Sequence, residues 1–223
     1  MFLALFFIRI IERKSTSHIR SDTNTYYISN ICLTGANSGV GLAGAKLLIA
    51  SGHHVILACR TQAKADAAAA KCMAYATTSS DSFYMSRRAG GSAIGAECDL
   101  SSLSSVRTFA KSMEDRNIDT IVLNAGLAHG QADKEPFRTV EGFEETVGVN
   151  HLGHFLLADL MARTLAKSNS KPRLVSTASP VHDPVRIYIL KYWSEHHITV
   201  FLNVTNYVHS SFDAYFFCLV SDA

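Results

Sequence analysis

Thr34-Gly35-Ala36-Asn37-Ser38-Gly39-Val40-Gly41 follows an apolar run and precedes an amphipathic helical pattern, so these residues form a strand-to-helix turn. Each glycine has its own task. Gly35 permits the tight turn off the strand, Gly39 lets backbone approach a pyrophosphate, and Gly41 lets the helix pack closely on the sheet. Asn37 and Ser38 lie between them, and phosphates would rest on the amino end of the helix, where unpaired N–H groups and the helix dipole favour negative charge. The spacing is G-x-x-x-G-x-G rather than G-x-G-x-x-G; its weight comes from the position between strand and helix, the alternative being a purely structural turn.

The residues that follow the next strands extend the cradle. An acidic residue at the end of the second strand would hold a ribose 2′-hydroxyl and repel a 2′-phosphate, but the chain has Ala58-Cys59-Arg60, with Lys64 a turn further on. A guanidinium is a planar, always-charged fork matched to phosphate oxygens, so Arg60 points to NADP; a solvated surface arginine is the alternative. Asp99 follows the third strand at the carboxyl edge of the sheet, where ligands bind, and would otherwise cap the next helix. Asn124 ends the fourth strand, and Gly126 would let the chain pass close to a sugar ring. Asn150 stands inside an apolar helical pattern, where an amide needs a partner. His151 and His154 on the same helix lack a third convergent ligand and no H-E-x-x-H is present, so no metal is expected; packing against the sheet is the expected role of at least one.

The elements needed to position these residues can be read from periodicity. Short apolar strands without in–out alternation are predicted over 28–33, 55–58, 93–98, 120–123 and 173–177. Helices are predicted over 39–51 (ended by Gly52), over 62–76, from Ser101 or Ser102 to 113, and within 142–167. Residues 77–91 lose periodicity and read as a surface insertion. Alternating strands and helices of this kind imply a doubly wound, Rossmann-like α/β fold with a parallel sheet covered on both faces.

With Thr34 to Gly41, Asn124-Ala125-Gly126, Asn150 and Ser179 in this order and spacing, the chain resembles the short-chain dehydrogenase/reductase family over roughly residues 28–184. The stretches ILACRTQAKA, ECDLSSLSSVR, EGFEETVGVNHLGHFLL and RLVSTASPVHDP resemble its retinol dehydrogenase and light-dependent protochlorophyllide reductase branch. The resemblance implies NADP or NADPH as cofactor and hydride transfer to a carbonyl or conjugated double bond of a small hydrophobic substrate. It also implies that Asp99 contacts adenine, that Asn124, Ala125 and Gly126 line the ribose side, that Asn150 holds a helix and a water of the proton relay, and that Ser179 hydrogen-bonds the substrate carbonyl.

The family's proton donor is a Tyr followed four residues later by Lys, which share a helix face. No such pair follows Ser179: Lys191 is the last lysine, and four residues before it stands Ile187. Tyr188 and Lys191, three apart, form the nearest substitute, in a segment over 185–200 whose Ile, Tyr and Val content suits a strand at least as well as a helix. The alternatives to an active reductase are therefore a catalytically silent NADP-binding module or a truncated fragment. The sheet is expected to be incomplete at its carboxyl end, leaving edges and apolar helix faces uncovered.

Composition bounds the remainder. A chain of 223 residues, 48% of them hydrophobic, can bury one substantial core, and its net charge of +2 with no basic block gives no sign of nucleic-acid binding. Five scattered cysteines without a C-x-x-C pair fit reduced thiols in a reducing compartment. Residues 1–27 read as a leader: 2–11 are apolar except Arg9, too short to span a bilayer, and basic residues follow the apolar run instead of preceding it. Membrane association through this leader, an import sequence and a disordered leader are all open. The organisation is thus leader 1–27, dinucleotide-binding domain 28–184 and atypical tail 185–223. A homo-oligomer is compatible with the sequence, and substrate identity is not readable from it.

Overall fold

The computed structural model describes residues 28–78, 90–129, 136–168 and 172–177, with two strand segments at 198–201 and 218–221. The leader 1–27 and Ser179, Tyr188 and Lys191 lie outside the described residues. In chain order the elements are β1 (Asn30–Thr34), α1 (Gly39–Ala50), β2 (His54–Cys59), α2 (Gln62–Thr78), β3 (Ser92–Glu97), α3 (Leu103–Ser112), β4 (Thr120–Leu123), α4 (Glu145–Val147), a π-helical turn (Gly148–Gly153), α5 (His154–Ala166), β5 (Arg173–Ser176), β6 (Ile198–Phe201) and β7 (Cys218–Ser221).

The sheet order is β3-β2-β1-β4-β5-β7-β6, and the first five strands are parallel throughout. The winding reverses direction between β1 and β4. At such a switch point the connections leave in opposite directions from the carboxyl ends of neighbouring strands and a crevice opens between them. β1 pairs with β2 from Asn30↔His54 to Thr34↔Ala58, and with β4 from Ile31↔Thr120 to Leu33↔Val122.

Both faces of the central parallel strands are covered, which is why these strands carry apolar residues without alternation. Ile31 and Leu33 of β1 pack on one side with Leu48, Ile49, Ala65 and Cys72 of α1 and α2. Cys32, between them in sequence, points to the other side and packs with Val106, Phe109, Leu157 and Met161 of α3 and α5. α2 lies close enough to β3 that a Cβ on Gly95 would meet the Ala65 backbone at 2.6 Å.

The structure differs from, or adds to, expectation at three places. Helix α2 continues through Thr78, so the predicted insertion over 77–91 begins inside it; residues 79–89 lie outside the described residues. The predicted helix within 142–167 is interrupted: Glu144 caps the short α4 by accepting from Thr146 and Val147 N–H, and a π-helical turn precedes α5. Low-propensity glycines at both ends of that turn, Gly148 and Gly153, let it press against neighbours, since a Cβ on Gly153 would meet the Leu100 carbonyl at 2.6 Å. Beyond the parallel strands an antiparallel pair extends the sheet: β7 joins β5 at Val175↔Val220 and Ser176↔Leu219, and β6 joins β7. Val147 and Phe155 are exposed, at 52% and 62%.

Candidate functional site

The crevice at the switch point is a cleft of about 490 Å³ lined by the β1–α1 turn, the ends of β2, β3 and β4, and Val149 of the π-helical turn. The structure gathers Gly35, Asn37, Ser38, Gly39, Gly41, Arg60, Asp99, Asn124, Ala125 and Gly126 in this one cleft. Asn150 stands behind it, its Oδ1 facing Gly126, where a Cβ would come within 3.7 Å.

The three glycines of the turn differ in what surrounds them. Gly35 has φ +67°, and a Cβ there would meet Ala125 Cα at 2.7 Å; its N–H donates to the Ala58 carbonyl at 3.0 Å, tying the turn to β2. Gly39 has φ +53° and open space where a side chain would be. A Cβ on Gly41 would collide with the Gly35 carbonyl oxygen and meet Asn124 Nδ2 at 2.6 Å. Helix α1 opens toward the cleft with Ser38 as its extended N-cap, yet the Ser38 side chain makes no capping bond and the first turn has no acidic residue. The first amide hydrogen-bonded back into the helix is that of Leu42, which donates to the Ser38 carbonyl at 3.0 Å. Such a helix end, with no side chain competing for its N–H groups, fits a phosphate.

Arg60 is exposed at the end of β2 and, among the described residues, forms no ion pair. Asp99 is occupied in part: its Oδ1 accepts from Ser101 N–H at 2.9 Å and Ser101 Oγ at 2.7 Å, forming a turn ahead of α3. The cap of α3 is Ser102, whose Oγ accepts from Ser105 N–H at 3.3 Å, so the capping alternative for Asp99 does not hold.

Asn150 has found its partner. Its Oδ1 accepts from Leu127 N–H at 2.9 Å and its Nδ2 donates to the Leu127 carbonyl at 2.7 Å, fixing the segment after β4 to the π-helical turn. Of the two histidines expected to supply packing against the sheet, His154 does so, but the sequence assigns neither it nor Thr34 a polar role between the cleft and the core. Thr34 Oγ1 accepts from the N–H groups of Asn124 (2.8 Å) and Ala125 (3.0 Å), and Asn124 Nδ2 donates to the Thr34 carbonyl at 3.0 Å. His154 is buried, with Nε2 2.9 Å from Thr34 Oγ1 and Nδ1 3.1 Å from the Asn150 carbonyl. Burial pushes its pKa down to about 4, against the opposing effect of the Asn150 carbonyl, so the ring is neutral near pH 7. The signal available in the sequence was a hydroxyl ending an apolar strand and a histidine on the apolar face of a helix; neither reveals its partner.

Fold and cleft together define a doubly wound dinucleotide-binding protein. The short chain dehydrogenase family model matches residues 29–192, and the chain belongs to that family. It is 43% identical over 162 residues to protochlorophyllide reductase B, chloroplastic, of Hordeum vulgare, covering 70% of this chain and 36% of the relative. To retinol dehydrogenase 14 of Mus musculus it is 36% identical over 168 residues, covering 72% of this chain and 47% of the relative. The chain therefore spans between a third and a half of the length of these relatives. Among solved structures, a short-chain type dehydrogenase/reductase from Mycobacterium marinum superposes with a TM-score of 0.55 at 25% identity, over 71% of this chain and 57% of the other. A short-chain dehydrogenase from Sphingobium yanoikuyae, in complex with NADPH, gives 0.52 at 25% identity, over 69% of this chain and 54% of the other.

Proposed function

We propose that this chain binds NADP(H) in the switch-point cleft and serves hydride transfer between NADPH and a carbonyl or conjugated double bond of a hydrophobic substrate of retinoid or protochlorophyllide type. The observation that carries this reading is the cleft itself, with the uncapped amino end of α1 on one side and the exposed Arg60 at the end of β2. Asn37, Ser38 and the N–H groups of the first turn of α1 would hold the pyrophosphate, and Arg60 would meet the 2′-phosphate. Asp99 would approach the adenine with its Oδ2, because Oδ1 is held by Ser101. Asn124, Ala125 and Gly126 would line the ribose side. A bound nicotinamide supplies the hydride; the chain supplies orientation, with Ser179 as the candidate for binding the substrate oxygen. The relatives named for protochlorophyllide and retinol support the substrate class.

Fluorescence titration with NADPH, with NADH as competitor, tests the cofactor. Arg60→Asp is expected to weaken NADPH at least roughly tenfold, because it exchanges a charge-assisted phosphate contact for repulsion. Equal affinity for NADH and NADPH, unchanged in the variant, would refute the 2′-phosphate assignment. A second reading rests on the missing Tyr-x-x-x-Lys pair: the chain binds NADPH without turnover. Oxidation of bound NADPH on adding retinaldehyde separates the two, since a silent module leaves absorbance at the NADPH band unchanged.

A further inference from the structure

The geometry points to His154 as a positioning residue: its ring uses Nδ1 to hold the π-helical turn and Nε2 to set the Thr34 hydroxyl, which in turn holds the floor of the nucleotide cleft. This inference rests on the NADP(H) reading of the cleft and goes beyond it by assigning a buried residue that lines no part of it.

The hydrogen-bond roles follow by elimination. A backbone carbonyl can only accept, so the 3.1 Å contact to Asn150 O requires the proton on Nδ1. Burial keeps the ring neutral, so Nε2 is left as an acceptor. Thr34 Oγ1 already accepts two backbone N–H groups, from Asn124 and Ala125, which leaves it one proton to donate. That proton faces Nε2 at 2.9 Å or the Val122 carbonyl at 3.4 Å, and the shorter contact is the better bond. The chain of roles is therefore fixed from end to end: Nδ1–H donates to Asn150 O, Thr34 O–H donates to Nε2, and the Asn124 and Ala125 amides donate to Thr34 Oγ1.

Each link ends on a different wall. Thr34 leads into the glycine turn, Asn124-Ala125-Gly126 form the opposite wall, and Asn150 both shares its carbonyl with His154 and clamps Leu127 with its side chain. Removing the ring frees the Thr34 hydroxyl to rotate and unties the π-helical turn from β1. The separation of the two walls, which a dinucleotide must bridge, then loses its brace.

Two measurements on the full chain test this. Imidazole ¹⁵N shifts of His154 are expected to show a neutral ring with the proton on Nδ1 at pH 6 to 7; an Nε2–H tautomer or a charged ring there would overturn the assignment. NADPH titration of His154→Phe, Thr34→Val and the double variant is expected to show roughly tenfold weakening in each single variant, the scale of one lost hydrogen bond, and little more in the pair. Independent, multiplying losses, or a His154→Phe protein that binds as tightly as the parent, would also overturn it. Failure of the parent chain to bind NADPH refutes the cofactor reading instead, while the ¹⁵N spectrum still decides the network, including when the variants do not fold.

Discussion

Gly39 and Gly41 differ in what a methyl group would meet, and substitutions there separate backbone strain from collision. At Gly39 the space is open and φ is +53°, so Gly39→Ala is expected to cost only the left-handed penalty of about 1–2 kcal/mol. At Gly41 the methyl runs into the Gly35 carbonyl and into an Asn124 amide already bonded to Thr34, neither of which can retreat without opening the turn. Gly41→Ala is expected to destabilise by more than Gly39→Ala and to lose most NADPH affinity; urea midpoints and titrations on both variants check the order. The His154 ring makes a pH prediction with a defined sign. Its folded pKa of about 4 lies below the ordinary 6.5, so between those values the unfolded chain binds a proton that the folded chain refuses. Its contribution is complete above pH 6.5 and falls as pH drops toward 4, by about 3 kcal/mol in all. Urea unfolding at pH 7, 5 and 4 should therefore steepen in the parent relative to His154→Phe; identical pH slopes would contradict it.

At the scale of elements, legibility followed the kind of signal involved. β4 was predicted over 120–123 and is found as Thr120–Leu123, because a short apolar run between polar neighbours has one solution in a covered parallel sheet. The sequence admits either Ser101 or Ser102 as the start of α3, and only geometry decides it: Ser102 caps while Ser101 serves the Asp99 turn. Ser102→Ala is accordingly expected to lower stability by about 1 kcal/mol, whereas Ser101→Ala leaves the cap intact; thermal melts of the two compare them. The π-helical turn was not legible, since hydrophobic spacing reports which face is buried and not whether one hydrogen bond skips a residue. For the cleft the glycine turn and strand ends were readable, because chemistry restricts which residues can stand there. The polar contacts behind the cleft were not, because Thr34 and His154 are 120 positions apart and each alone looks like core.

The thiols of the described core lie inside the molecule. Cys32, Cys59, Cys72 and Cys98 are all buried, and burial raises every one of their pKa values, Cys32 to about 12 and Cys72 to about 11. A thiol is nucleophilic only as thiolate, so in a Cys218→Ser protein these four are expected to resist an aromatic disulfide reagent at pH 8 and to react together once urea unfolds the chain. Rapid labelling of the native protein would mean that the sheet opens far below its global unfolding free energy.

The brace from Thr34 to Asn124, Ala125 and His154 also has a meaning in time. A ribosome delivers the glycine turn early, but every polar partner of the Thr34 hydroxyl arrives 88 to 120 residues later. The first βαβ unit can form its strands and helix from near neighbours, and Gly35 finds the Ala58 carbonyl within it, yet the Thr34 hydroxyl waits for the segment after β4, and its set of partners is complete only when α5 is made. Ligand competence is thus a late event in the life of this chain, delayed by loop closure over long separations rather than by slow local structure.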